Sequence, residues 1–95
     1  GLNLEKLGYT SYRIDFQLIS TEKNKEIYNF CRQHKNIYQI NKTIGGADLE
    51  IETVVKNLQA LLYIIEEIKE KFKGIINDVD YFSFSTFHIL QFIPD

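Results

Sequence analysis

The chain has 95 residues, of which 44% are hydrophobic and 25% charged, the composition of one folded domain large enough for a single core. Its formal net charge is −2 and its lysines are interleaved with glutamates, so the basic footprint of a duplex-binding surface is missing. No apolar run approaches the roughly 20 residues of a membrane-spanning helix and no charged-then-apolar leader opens the chain, so a cytoplasmic location is expected, with no membrane contact.

A single cysteine, Cys31, has no partner for an internal disulfide and falls on an apolar helix face, which suits a reducing compartment and a packing role. The two histidines, His34 and His88, lie far apart and offer no metal-ligand spacing, so neither a metal nor a cofactor is expected. The chain contains no methionine and begins Gly1-Leu2-Asn3, and from this a segment N-terminal to it is expected in the parent protein.

In chain order, Tyr12, Ile14, Phe16 and Leu18 alternate with Ser11, Arg13, Asp15 and Gln17, the period-two pattern of a half-buried strand. Ser20 and Thr21 are read as caps of a helix running to about Lys35, with Ile27, Phe30, Cys31 and His34 on one face. Ile37 to Ile44 is the next extended run, with Tyr38 and Ile40 on one side and Gln39, Asn41 and Thr43 on the other. Leu49 to Val55 answers it across a glycine turn, Leu49, Ile51 and Val55 toward a core and Glu50 and Glu52 away from it.

Asn57 is expected to cap a second helix whose Leu58, Leu61, Leu62, Ile65, Ile68 and Phe72 form a broad apolar stripe. Glu67 and Lys71 are spaced for an i,i+4 pair, and Gly74 is placed to end the helix in the left-handed region. From Ile75 or Ile76 to Phe92 the chain reads as strand again, too long for one strand and expected to split near Ser85-Thr86 into a fourth strand and an additional edge strand.

The order β-α-β-β-α-β with two amphipathic helices predicts an α+β fold, a ferredoxin-like βαββαβ sandwich with both helices on one face of an antiparallel sheet in spatial order 4-1-3-2. That order brings the start of the third strand and the start of the fourth to the same end of the sheet, with the first strand between them. Asp48 on one side and Asp78 and Asp80 on the other are therefore expected about 10 Å apart, two interstrand spacings, which a small zwitterion can bridge. No His, Cys or Ser accompanies them to complete a catalytic constellation. The alternative for Asp78 and Asp80 is a solvated acidic rim.

The candidate site centres on Thr43-Ile44-Gly45-Gly46-Ala47-Asp48-Leu49-Glu50. A Gly-Gly pair between two extended runs marks a hairpin tip, where the missing side chains let the backbone turn or a ligand approach. Two readings stay open on these residues: Gly45 and Gly46 close the turn and Asp48 caps it locally, or the same groups receive a small polar ligand.

Leu2-Asn3-Leu4-Glu5-Lys6-Leu7-Gly8-Tyr9, the first strand, Ile44-Gly45-Gly46-Ala47-Asp48-Leu49, and a helix ending Phe72-Lys73-Gly74 before a final strand together resemble the effector-binding (RAM) domain of Lrp/AsnC-type (leucine-responsive/feast-famine) transcriptional regulators. The resemblance covers almost the whole chain. It implies residues 1–8 as a link from a DNA-binding helix-turn-helix and residues 9–95 as an effector-binding and oligomerisation domain. It implies homo-oligomers, dimers or larger even-numbered assemblies, and an amino acid or related effector bound near the hairpin loop, with DNA contacted only through the preceding domain. By position, Gly45, Gly46, Ala47 and Asp48 match the family's glycine-to-aspartate loop, its N–H groups placed for a carboxylate and Asp48 for an ammonium.

This chain departs from the family in having Asn77, Asp78 and Asp80 where small hydroxyl residues are usual, which favours a cationic ligand such as lysine or arginine, or no ligand at all, and in having Ala47 where a bulkier residue is usual, which opens the site. Two other classes share the topology: dimeric α+β-barrel enzymes, which need catalytic or haem-ligating groups, and ACT-type regulatory domains of metabolic enzymes. An RNA-binding module is disfavoured by Asp15, Glu50 and Glu52 on the open sheet face. The same face carries Arg13, so a wet subunit interface with ion pairs is expected there.

Overall fold

The computed structural model describes residues 7–42 and 48–84. Four strands and two helices follow one another as β1 (Thr10–Leu18), α1 (Asn24–Gln33), β2 (Ile37–Lys42), β3 (Asp48–Val55), α2 (Leu58–Lys71) and β4 (Ile76–Phe84). They form one antiparallel sheet in the order β2-β3-β1-β4, the expected ferredoxin-like arrangement. The additional edge strand expected beyond Ser85-Thr86 lies outside the described residues.

Alternation in the two central strands divides the sheet into a core face and a helix-free face. Ile14, Phe16 and Leu18 of β1 and Leu49, Ile51 and Val55 of β3 are buried against Ile27 and Cys31 of α1 and Leu61, Ile64, Ile65 and Ile68 of α2. Burying one such side chain contributes about 1.5–3 kcal/mol, so this cluster is the main term holding helices to sheet. Thr53 is also fully buried, and its hydroxyl is satisfied by donating to the Tyr12 carbonyl at 3.1 Å. Cys31 has the expected packing role: it is fully buried, and burial pushes its thiol from 9.0 up to about 11.

Helix α2 begins as its sequence dictates, the Asn57 side chain accepting from the Ala60 N–H at 2.9 Å. Its apolar stripe is rotated from the expected one. Ile64 is buried, whereas Leu58 and Leu62 are 43% and 36% exposed on the outer flank. Gly74 has φ +85 as expected, which an L side chain rarely adopts.

Three local expectations are corrected. Helix α1 starts at Asn24 and has no side-chain cap; the Thr21 carbonyl, not a hydroxyl of Ser20 or Thr21, accepts the Asn24 N–H at 3.1 Å. Pairing of β2 with β3 shifts between Ile37 and Gln39, so Ile37 and Ile40 lie on the core side and Tyr38 does not share a face with Ile40. Glu67 pairs with His34 (Nε2 to Oε1, 3.1 Å) instead of Lys71, whose ammonium sits 5.5 Å from the Phe30 ring.

Candidate functional site

Register places the expected acidic residues directly. In the central ladders Asp48 is opposite Gln17, and Gln17 is opposite Asp78. Directly opposed residues point to the same face, so Asp48, Gln17 and Asp78 form one row across the helix-free side of β3, β1 and β4, with two interstrand steps of about 10 Å between the carboxylates. The next row is Glu50, Asp15 and Asp80, and the third is Glu52, Arg13 and Phe82. Asp48, Asp78 and Asp80 are all exposed. Gly45, Gly46 and Ala47, the loop half of the expected site, lie outside the described residues.

The end of the sheet that carries the first row is fixed by backbone bonding. Past Gln17 the pairing of β1 with β4 becomes irregular, and the Ile19 N–H donates to the Ile75 carbonyl at 2.8 Å, tying the exit of β1 to the approach of β4. Asp78 uses one carboxylate oxygen locally, accepting from the Val79 N–H at 3.0 Å.

Arg13 organises the rows behind. Its Nε and Nη2 each lie 3.1 Å from an oxygen of Asp15, a two-pronged pairing, and Nε is 3.2 Å from Glu50 Oε1. The guanidinium carbon stands 4.2 Å from the centre of the Phe82 ring. Among the described residues of these three rows it is the one basic side chain against six carboxylates, Asp15, Asp48, Glu50, Glu52, Asp78 and Asp80. Arg13 thus forms ion pairs with Asp15 and Glu50 within one chain.

Glu52 is the unexpected member of this face, only 6% exposed although it points away from the core. It lies opposite Gln39 next to the β2 irregularity, beside Tyr38. Burial, and then the neighbouring Glu52 carboxylate, push the Tyr38 hydroxyl well above its ordinary range. The alternation of β3 gives the direction of Glu52 but not its burial, which it shares on this face with Ser11 of β1.

This arrangement can receive cations or the ammonium of a zwitterion. No His or Cys stands in the three rows; His34 is at the end of α1, bonded to Glu67 across the helix layer. Among the described residues no group of three His, Cys, Asp or Glu is gathered for a metal ion, and no helix is long and apolar enough to cross a membrane.

No protein-family model and no curated protein matches the sequence. Solved structures match in shape. AsnC of E. coli superposes with a TM-score of 0.70 at 14% identity, over 88% of this chain and 56% of that one. An AsnC family transcriptional regulator from Agrobacterium tumefaciens gives 0.68 at 16% identity over 88% and 56%. The fold is that of the AsnC-type regulators. A transcriptional regulator of Neisseria meningitidis solved as its L-Met complex has the same fold, with a TM-score of 0.69 at 10% identity over 90% of this chain and 56% of that one. This chain spans little more than half the length of each of these three structures.

Proposed function

We propose that the chain is the effector-binding and oligomerisation domain of an Lrp/AsnC-type transcriptional regulator, acting in the cytoplasm, with the DNA-binding part supplied by a preceding domain and with no catalytic activity of its own. The observation that carries this reading is the AsnC-type fold together with the row Asp48, Gln17, Asp78 at the hairpin end of its sheet. In this reading the loop N–H groups of Gly45, Gly46 and Ala47 receive the carboxylate of an amino acid and Asp48 receives its ammonium. Asp78 and Asp80 then favour a cationic side chain, lysine or arginine. Two or more copies assemble in even number, which sedimentation equilibrium tests: a monomer at high micromolar concentration refutes it.

Calorimetric titration of the free amino acids into wild type and Asp48→Asn tests the site. The charge-assisted bond to Asp48 is worth about 1.5–3 kcal/mol, so the variant is expected to bind roughly 10- to 100-fold more weakly with its fold intact. Absence of saturable heat for every amino acid, or equal affinity in the variant, refutes the assignment.

A further inference from the structure

We propose a second ligand site, for a small carboxylate carrying an apolar group, in a groove at the end of the sheet opposite the hairpin. The groove has a volume of about 610 Å³ and is lined by Leu7, Tyr9, Lys35, Val54, Lys56 and Ala60, among others. That volume lies in the range of small-molecule pockets, and so does the mixture of apolar walls with a few convergent polar groups. Strand β3 runs from Asp48 to Val55, so the groove stands about 23 Å from the acidic row, seven residues of strand. The two sites are spatially separate.

The charge of the groove is of one sign among the described residues: the charged side chains lining it are the two lysines, with no carboxylate. Helix α2 opens at the same place, and only the Ala60 N–H of its first turn is taken by the Asn57 cap, so the positive end of the helix adds to the lysine field. Lys56 donates to the Leu7 carbonyl at 3.0 Å and lies 4.4 Å from the centre of the Tyr9 ring. An ammonium has three donors, so that carbonyl leaves capacity for an anion. Lys35 enters no ion pair among the described residues.

The groove is also pre-shaped. Asn36, next to Lys35, is bonded to Val54 in both directions, side-chain N–H to the Val54 carbonyl and Val54 N–H to the Asn36 carbonyl, each at 3.0 Å. On the other side, Gly8 has φ +85, and its turn carries the Leu7 carbonyl to Lys56. Leu7 remains 50% exposed beside the half-buried Tyr9, an apolar surface adjoining two cations. An anion with an apolar body satisfies both, a free cation neither, so the ligand preference here is opposite in charge to that of the hairpin end.

Amide-resolved NMR titration of the chain with 3-phenylpropanoate, 3-phenylpropanamide and inorganic phosphate tests the proposal. The carboxylate is expected to give saturable shifts confined to residues 7–9, 35–36, 54–56 and 58–60. Lys35→Gln and Lys56→Gln are each expected to weaken it about tenfold, the worth of one charge-assisted hydrogen bond. Asp48→Asn is expected to leave it unchanged, which separates this site from the one proposed at the hairpin. No saturable shift overturns the site, equal binding of the amide overturns the need for an anion, and equal binding of phosphate overturns the apolar component. Lys35 is exposed and engaged in no ion pair among the described residues, so its variant reads binding without disturbing the fold.

Discussion

Arg13→Gln removes the one cation from three rows of acidic residues, and its cost follows from contacts already described. The guanidinium holds both oxygens of Asp15 at 3.1 Å and Glu50 at 3.2 Å, and it stacks on Phe82 at 4.2 Å. The side chains of Arg13, Asp15 and Glu50 are 37%, 38% and 31% exposed, so solvent screening limits each pair to about 0.5–1 kcal/mol. The cation over the ring adds about 0.5–1 kcal/mol. Removal also leaves Glu50, Asp15 and Asp80 side by side in one row, and like charges directly opposite each other in a sheet are destabilising.

The expected total is a loss of about 1.5–3 kcal/mol, a fall in Tm of roughly 6–24 °C for a domain of this size. Urea unfolding at about 50 mM and about 500 mM NaCl checks the cause, because the Debye length shortens several-fold between them. The deficit is expected to shrink at high salt as the stranded carboxylates are screened. Arg13→Lys is expected to recover part of it, keeping the charge but not the planar fork. A deficit below about 0.5 kcal/mol at low salt, or one of the same size at both salt concentrations, refutes the role given to Arg13.

Asn57→Ala leaves the Ala60 N–H without its cap and is expected to cost about 1 kcal/mol in chemical denaturation; no change refutes the capping role. Cys31 provides a test at alkaline pH. Its thiol is raised from 9.0 to about 11 in the folded chain, so above pH 9 the unfolded chain loses this proton first and stability falls as pH rises, by about 2–3 kcal/mol by pH 11. Cys31→Ala is expected to lower stability at pH 7 by opening a small cavity yet to flatten the slope between pH 9 and 11; an unchanged slope shows that the thiol does not titrate across folding.

Strand β1 and helix α2 were legible because their signals are local. In β1 each residue reports its own face, and in α2 the Asn57 cap and the apolar spacing agree. The start of α1 was not legible by the same route. Ser20 and Thr21 carry the side chains that cap helices, but the chain closes its turn through the Thr21 carbonyl, a group every residue possesses. Ile64 completes the i, i+3, i+4, i+7 spacing of Leu61, Ile65 and Ile68, so its burial is legible in the sequence, and the expected stripe errs in taking in Leu58 and Leu62 on the flank instead. The position of Tyr38 failed for a further reason: a pairing shift places two residues of one strand against one of its neighbour, and the information for it is divided between β2 and β3.

The two candidate sites differ in legibility for the same physical reason. The acidic row could be foreseen because strand order alone sets Asp48 and Asp78 on either side of β1, and regular pairing then brings both opposite Gln17. Regular ladders convert sequence position into distance, about 4.8 Å per strand and 3.3 Å per residue, so a carboxylate in a strand can be located before its contacts are known. The lysine groove is assembled from the leading segment, the turn after α1, the end of β3 and the first turn of α2. Two of these pieces, the leading segment and the turn, have no repeating geometry. Lys56 reads in sequence as one of many solvated lysines, and only the turn at Gly8 brings the Leu7 carbonyl and the Tyr9 ring to it. A lysine held on both a carbonyl and a ring is oriented before any anion arrives, which reduces the side-chain entropy that binding must overcome. Loss of that orientation is therefore distinguishable from loss of charge: Tyr9→Ala retains both ammonium groups but also removes an apolar wall, so a drop larger for the carboxylate than for the amide, measured by the same titration, assigns part of the binding to the holding of Lys56, and an equal drop for the two refutes it.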